Sequence, residues 1–346
     1  MAVGDILLGR QLGLEMDQSG DYSLPFQHIA PLLMDADMAF GNFEGVFCEK
    51  APWPASGMIF RINPERVKAF VAGGFDVVSV ANNHTGDGGD GCIAYSAELL
   101  RSHGIFTAGS GADHAAAHAP AIVERHGVKF AFLAYTYEGR NDLPPPATPA
   151  TSADAGASSS SPAPQSPATT SEKGQLKLAP AVVRKMTPRR AKPPRPVIAG
   201  RDVEQMRRDV AAARTRADFV IVSLHDGAEY TRRVAQVTEE FARAAIDTGA
   251  TAVLGHHPHV PQRVEQYKGG WIFYSLGNFV FQQKTPPEVR HTLIARLTFT
   301  GKSLAQVEAL PGYIETFARP RLATPEEAAA ILKGIGLPDS VVFRAP

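Results

Sequence analysis

Along most of this 346-residue chain, short apolar runs rich in β-branched residues alternate with longer stretches of helical period. Asp76-Val77-Val78-Ser79-Val80-Ala81 and Asp218-Phe219-Val220-Ile221-Val222-Ser223-Leu224 read as strands of the buried type. Residues 38–40 and 251–254 read as shorter strands of the same kind. Helices are predicted over 64–72, with Pro64 in the first turn and Gly73-Gly74 as the stop, and near 91–103. Further helices are predicted over 202–216 with Asp202 as cap, over 234–248 before Gly249, and near 325–333. Hairpins are predicted around His126-Gly127, Lys268-Gly269-Gly270 and Gly301-Lys302. Strands alternating with helices in both halves argue for an α/β fold. The hairpins late in each half make its sheets mixed.

The pattern breaks over residues 144–196. From 144 to 175 there is no Val, Ile, Leu or aromatic residue, so the segment cannot bury enough apolar surface to offset its ordering entropy. A basic, proline-rich tract follows, with Arg184, Lys185, Arg189, Arg190, Lys192 and Arg195 and no acid between Gly174 and Gly200. We expect a disordered insertion, Pro/Ala/Ser-rich and then basic. It reads either as a solvated segment or as an electrostatic tether for a polyanion or an acidic membrane surface. Residues 1–143 and 197–346 are expected to form one domain around it.

Composition narrows the class. The chain is 44% hydrophobic and 20% charged, as in a soluble globular protein. Lys+Arg and Asp+Glu balance at 35 each, so no global field points to nucleic acid, and none is expected as a partner. Cys48 and Cys92 are too few for a disulfide framework and are compatible with a reduced compartment. No run reaches the roughly 18 apolar residues of a membrane helix. With no signal peptide before the first motif, the chain as written is expected to be cytoplasmic; a clipped N-terminus would make it exported or membrane-associated. Only Ala2 and Val3 precede Gly4-Asp5, so a very short first strand is expected.

The chemistry gathers at strand ends. Val253-Leu254 runs into Gly255-His256-His257-Pro258-His259, where one tight turn brings two imidazoles, His257 and His259, toward a common point. Asp5, Glu44, Asn83 and His225 also follow strand-like runs. In open α/β sheets, sites form at the carboxyl ends of strands. Imidazole with carboxylate suits borderline divalent metals: Zn, Mn, Fe, Ni or Co. The same residues as a purely structural polar network are the alternative. His84, next to Asn83, either assists a leaving group as an acid or only orients a ligand.

Six motifs occur in order: Gly4-Asp5; Gly41-Asn42-Phe43-Glu44; Ala81-Asn82-Asn83-His84 with Asp87; Ser223-Leu224-His225 with Gly227 and Glu229-Tyr230; Gly255-His256-His257-Pro258-His259; and Tyr274-Ser275-Leu276-Gly277-Asn278-Phe279. Together they resemble the bacterial capsule-synthesis CapA family, linked to poly-γ-glutamate capsule production, over nearly all the chain outside about residues 140–200. That family looks like a branch of the calcineurin-like metallophosphatases. The resemblance implies a four-layer α-β-β-α sandwich of two mixed sheets and a dinuclear-type site. It places metal ligands at Asp5, Glu44, Asn83, His225, His257 and His259, a catalytic role at His84, and His256 outside the ligand set. Arg61 matches a family arginine and is read as substrate-binding or as an ordinary ion pair; Glu229 is read as lining the substrate cleft or orienting His225; Asp226, not a family residue, is read as altering substrate binding or as an extra ligand. The resemblance also implies one or two divalent ions (Mn, Zn or Fe) serving a phosphoesterase-type hydrolase. The partner would be an anionic polymer or phosphoester substrate, within a capsule-synthesis membrane complex. A non-catalytic accessory role in assembly or export of the polymer is the alternative. The sequence departs from the phosphatase pattern at Leu7, where a histidine usually follows the first aspartate by two, and at Asp226, where relatives commonly have Trp.

Overall fold

The computed structural model describes residues 1–142, 195–338 and 342–344. The predicted insertion therefore lies outside the described residues, apart from Arg195 and Pro196. Its flanks fall in one compact unit, Met1–Leu143 with Pro194–Pro346.

The first half runs β1 (Ala2–Ile6), α1 (Arg10–Ser19), α2 (Ala30–Met34), β2 (Phe40–Phe43), β3 (Val46–Phe47), β4 (Arg61–Ile62), α3 (Val67–Ala72), β5 (Val77–Ser79), α4 (Gly89–Ser102), β6 (Phe106–Ala108), β7 (Ser110–Gly111), α5 (His114–His118), β8 (Ala121–Arg125) and β9 (Val128–Thr136). The second half runs β10 (Val197–Ile198), α6 (Val203–Arg214), β11 (Phe219–His225), α7 (Gln236–Thr248), β12 (Ala252–His256), β13 (Val264–Tyr267), β14 (Gly270–Phe273), β15 (Asn278–Val280), β16 (His291–Thr300), β17 (Ser303–Ile314), β18 (Pro320–Leu322), α8 (Pro325–Gly334) and β19 (Val342–Arg344).

Two large sheets carry the fold. The first has the order β18-β17-β16-β1-β2-β5-β6, with β15 also on β1 and β19 on β17. The second has the order β13-β14-β12-β11-β9-β8. Both are mixed: β1, β2, β5 and β6 pair in parallel while β16 and β17 pair antiparallel, and parallel β14-β12-β11-β9 is flanked by antiparallel β13 and β8.

Side-chain alternation with a period of two sorts these strands into layers. On β9, Phe130, Phe132 and Ala134 enter the core between the sheets, while Ala131, Leu133 and Tyr135 face the outer layer with α6 and α7. On β11, Phe219 and Ile221 point inward and Val220, Val222 and Leu224 outward. On β1, Ala2 joins the inter-sheet core and Val3 the layer under α1, α2 and α3. The sheets meet where Phe40 stacks on Phe132 with centroids 5.4 Å apart. The predicted α/β sandwich of two mixed sheets is thus the observed one.

Two local differences bear on function. First, β1 runs through Gly4-Asp5 to Ile6 and is longer than expected, because β2 and β15 flank it and place Asn42 and Asn278 opposite Asp5. A Cβ at Gly4 would lie 1.9 Å from the Gly277 carbonyl oxygen, so this close approach requires glycine. Second, Cys48 and Cys92, too few for a disulfide framework, form one disulfide. The packing of α4 on β3 brings their Cα atoms to 4.9 Å, although they stand 44 residues apart in sequence. No helix of the described residues is long and apolar enough to cross a membrane.

Candidate metal centre

The carboxyl ends of β1 and β2 in one sheet and of β11 and β12 in the other meet at a buried polar cluster. Asp5 is fully buried and accepts from Asn42 Nδ2 at Oδ1 (2.9 Å) and from the His257 backbone N–H at Oδ2 (3.2 Å). Asn42 Nδ2 also donates to His225 Nδ1 (3.2 Å). That leaves the proton on His225 Nε2, which donates to Asn83 Oδ1 (2.9 Å). His259 Nδ1 donates to Asn278 Oδ1 (2.8 Å), and its Nε2 stands 3.7 Å from Glu44 Oε1. The ligand turn is bent to do this: His257 and His259 sit at φ of 92° and 58°, a region that residues with a Cβ rarely occupy.

Donor atoms fall into two groups, each within 4.8 Å: Asp5, Glu44 and His225; and Glu229, His257 and His259. Asp5 and His259 join them, with Oδ2 and Nδ1 3.5 Å apart. Both Glu44 oxygens and His257 Nδ1 are buried without a hydrogen-bond partner. Buried polar atoms are otherwise nearly always bonded, so these donor atoms are free to take a ligand.

The electrostatics agree. Burial alone would raise the Asp5 pKa, but His256 beside it, followed by His225 and His259, holds the carboxyl well below the usual range. Burial, then the Asp5 and Glu229 charges, pushes Glu44 well above it. Burial, and then His257, keeps His225 neutral far below the usual imidazole range. Burial, and then His259, lowers His257. Neutral imidazoles beside an uncompensated acid are the form that takes a cation. The donor set therefore fits a divalent metal.

The other predicted residues divide. His84 packs its ring on Phe60 at 3.8 Å, and its Nδ1 donates to Asp87 Oδ2 (2.9 Å). Its turn is fastened to β2 by Asn82 Nδ2, which donates to the Phe43 carbonyl (2.7 Å). Glu229, expected on the substrate, has a carboxylate oxygen within 4.8 Å of nitrogens of His257 and His259. The Asp226 carboxylate is occupied by Arg201 and by the Thr238 hydroxyl. Arg61 has a buried Nε without a hydrogen bond and no ion-pair partner among the described residues. Leu7 is packed in the apolar layer behind the first sheet and offers no ligand. His256 is fully buried with Nδ1 3.3 Å from Asp5 Oδ1, in a position to bias that acid.

Sequence reasoning passed over Arg10. It opens α1 at φ 55°, and its guanidinium lies over the Phe60 and Phe281 rings at 5.0 and 5.4 Å, close enough to Glu44 to feel its charge. Its place in sequence, just past the Gly4-Asp5 strand, was the available signal. Asn42 and Asn278, which flank Asp5, were visible only as motif members.

Known proteins match this chain over most of its length. The family model for the bacterial capsule synthesis protein PGA_cap matches residues 1–283. The capsule biosynthesis protein CapA of Bacillus anthracis is 30% identical over 81% of this chain and 59% of its own length. The PGA biosynthesis protein CapA of Bacillus subtilis is 30% identical over 81% of this chain and 62% of its own. A probable polyglutamine synthesis accessory protein of Mycobacterium tuberculosis is 28% identical over 68% of this chain and 52% of its own. A hypothetical protein of Thermus thermophilus superposes at a TM-score of 0.44 with 16% identity over 100% of this chain and 98% of that one, too loose a match to carry an argument. The chain spans about three-fifths of the length of the two Bacillus relatives. It belongs to the bacterial capsule synthesis protein family that includes CapA.

Proposed function

We propose that this protein serves the synthesis of an anionic, poly-γ-glutamate-type capsule polymer through a metal-dependent, phosphoesterase-type hydrolytic site. The observation that carries this reading is Glu44, whose two buried, unbonded oxygens stand among Asp5, His225 and His259. Asp5, Glu44, Asn83, His225, His257 and His259 would hold one or two divalent ions, of the Mn, Zn or Fe class. Glu229 is near enough to His259 (4.0 Å) to add a ligand. When bound, such an ion supplies Lewis-acid polarisation of a phosphoryl or acyl electrophile.

The chain's own residues do the rest. Asp87 accepts from His84 Nδ1 and balances the imidazolium form, whose Nε2–H would be the proton given to the leaving group. Phe60 fixes that ring by stacking. Arg10, lying over Phe60 and Phe281, supplies positive charge for an anionic substrate. With Leu7 in place of a ligand, one of two metal positions would be weaker than the other.

The test is metal analysis of the purified chain, with phosphoester and γ-glutamyl hydrolysis assays on wild type and His257→Ala. We expect bound metal and hydrolysis in the wild type, and loss of both in the variant. A wild type that binds no divalent ion refutes the metal site. Bound metal with no hydrolysis of either substrate class leaves the accessory role, which the name of the mycobacterial relative carries.

A further inference from the structure

A second histidine cluster lies apart from the centre described above. The helix α5 has the sequence His-Ala-Ala-Ala-His, so His114 and His118 are one turn apart and share a face. Their rings stack with centroids 4.3 Å apart. Both aim Nε2 at the same atom: Asp142 Oδ1 lies 3.4 Å from His114 Nε2 and 3.0 Å from His118 Nε2. One donor atom from each of the three lies within 4.8 Å of the others.

The surroundings are those of a built ligand set. His118 Nδ1 donates to Asp209 Oδ2 (2.8 Å), and Asp209 is held in turn by the Tyr135 hydroxyl (2.8 Å) and Gln205 Nε2 (2.7 Å). Metal-binding imidazoles are oriented in this way, with a carboxylate behind the far nitrogen. Asp142 uses its other oxygen, Oδ2, to accept the Gly200 backbone N–H (2.6 Å), which leaves Oδ1 for the histidines. The side chain of His114 is 18% exposed, so the site is open on one side.

A structural ion pair would account for His118 alone, as one imidazolium between two carboxylates. His114 approaches the same Asp142 oxygen only at 3.4 Å, and two stacked cations would repel each other. A divalent ion accounts for both nitrogens converging on one oxygen. We propose that His114, His118 and Asp142 form a second, solvent-accessible site for a borderline divalent transition metal such as Zn²⁺. Asp142 is the last described residue before the 143–194 segment, and Gly200 lies just after it. An ion there would tie α5 to Asp142 and, through the Asp142–Gly200 bond, to the chain entering α6. The inference does not depend on the proposed hydrolytic function.

The test uses the full-length chain stripped of metal and titrated with Co²⁺, read by visible absorption and by equivalents bound. The His257→Ala/His259→Ala variant removes the first centre. It is expected to keep about one Co²⁺ per chain, and adding His114→Ala is expected to weaken that binding at least tenfold. His114→Ala alone, at a half-buried position that leaves the core intact, is expected to lose one equivalent relative to wild type. Equal binding by His114→Ala and wild type, in affinity and in equivalents, overturns the proposal. So does a folded His257→Ala/His259→Ala variant that binds no Co²⁺.

Discussion

The His257 backbone N–H donates to Asp5 Oδ2 across 3.2 Å, joining residues 252 apart in sequence. This bond closes one sheet onto the other at the candidate metal centre, because Asp5 lies near the end of β1 and His257 follows β12. In Asp5→Asn one oxygen becomes an amide donor. It then faces either the Asn42 amide or the His257 N–H, and a buried donor is left without an acceptor. A loss of about 1–3 kcal/mol in urea unfolding is expected. Divalent-metal affinity should fall at least tenfold in equilibrium dialysis. Wild-type stability together with wild-type metal content would show that Asp5 neither seals the sheets nor holds an ion.

Glu44 predicts an opposite sign for the metal-free and metal-loaded protein. Its carboxylate is fully buried, has no hydrogen bond, and is repelled by Asp5 and Glu229. Its folded pKa is raised, so whatever stability the acid form contributes is present at low pH and is lost as pH rises through that value. A carboxyl buried without a hydrogen bond beside two other acids is a cost that Glu44→Gln removes. Without metal, the variant's melting temperature should equal or exceed that of the wild type. With divalent ion at about 100 times the wild-type Kd, the wild type gains about 2.7 kcal/mol while the variant gains little. Thermal melts with and without chelator decide this, and a variant that is less stable without metal yet still stabilised by it contradicts the assignment.

The site was legible where local pattern and chemistry coincide. The run Ala252–His256 ends in a glycine and then histidines, so strand, turn and candidate ligands fall within one window. β11 does the same for His225. What escaped depends on contacts that sequence distance hides. Arg10 matters because it lies over Phe60 and Phe281, residues far from it in the chain. Glu229 stands beside His257 and His259 because the turn after β12 comes to it. The pairing of Cys48 with Cys92 follows from α4 lying on β3. α1 is quiet in sequence because only Leu12, Gly13 and Met16 of its ten residues are buried.

The disulfide should be measurable directly. Cys48 follows β3 and Cys92 lies in the first turn of α4, so the bond ties the chain just after Glu44 to the helix just after His84. Thiol titration of the unreduced, unfolded protein should find no free thiol, since the chain has two cysteines in all. The Cys48→Ser/Cys92→Ser variant should lose roughly 2–4 kcal/mol, as expected for a cross-link that closes a loop of this order. Two free thiols in protein purified under oxidising conditions would count against the pairing.

The helix α8 carries a pH dependence of known sign. Thr324 and Glu327 form a reciprocal capping box, with the Thr324 N–H donating to Glu327 Oε2 (2.8 Å). Arg321 grips the same carboxylate through two nitrogens, at 2.7 and 3.0 Å. The Arg321 hydrogen bonds outweigh partial burial and hold the Glu327 pKa at about 2. A folded pKa below the unfolded value means the contribution is present above the ordinary carboxylate range and is lost as pH falls toward 2. Glu327→Gln should therefore be less stable than wild type at pH 7, and the difference should shrink steadily between about pH 4.3 and 2. The group is partly exposed, so the effect is small and salt should reduce it. Melting temperatures of the two proteins across that range test this, and a gap that stays constant with pH would assign the loss to the cap alone.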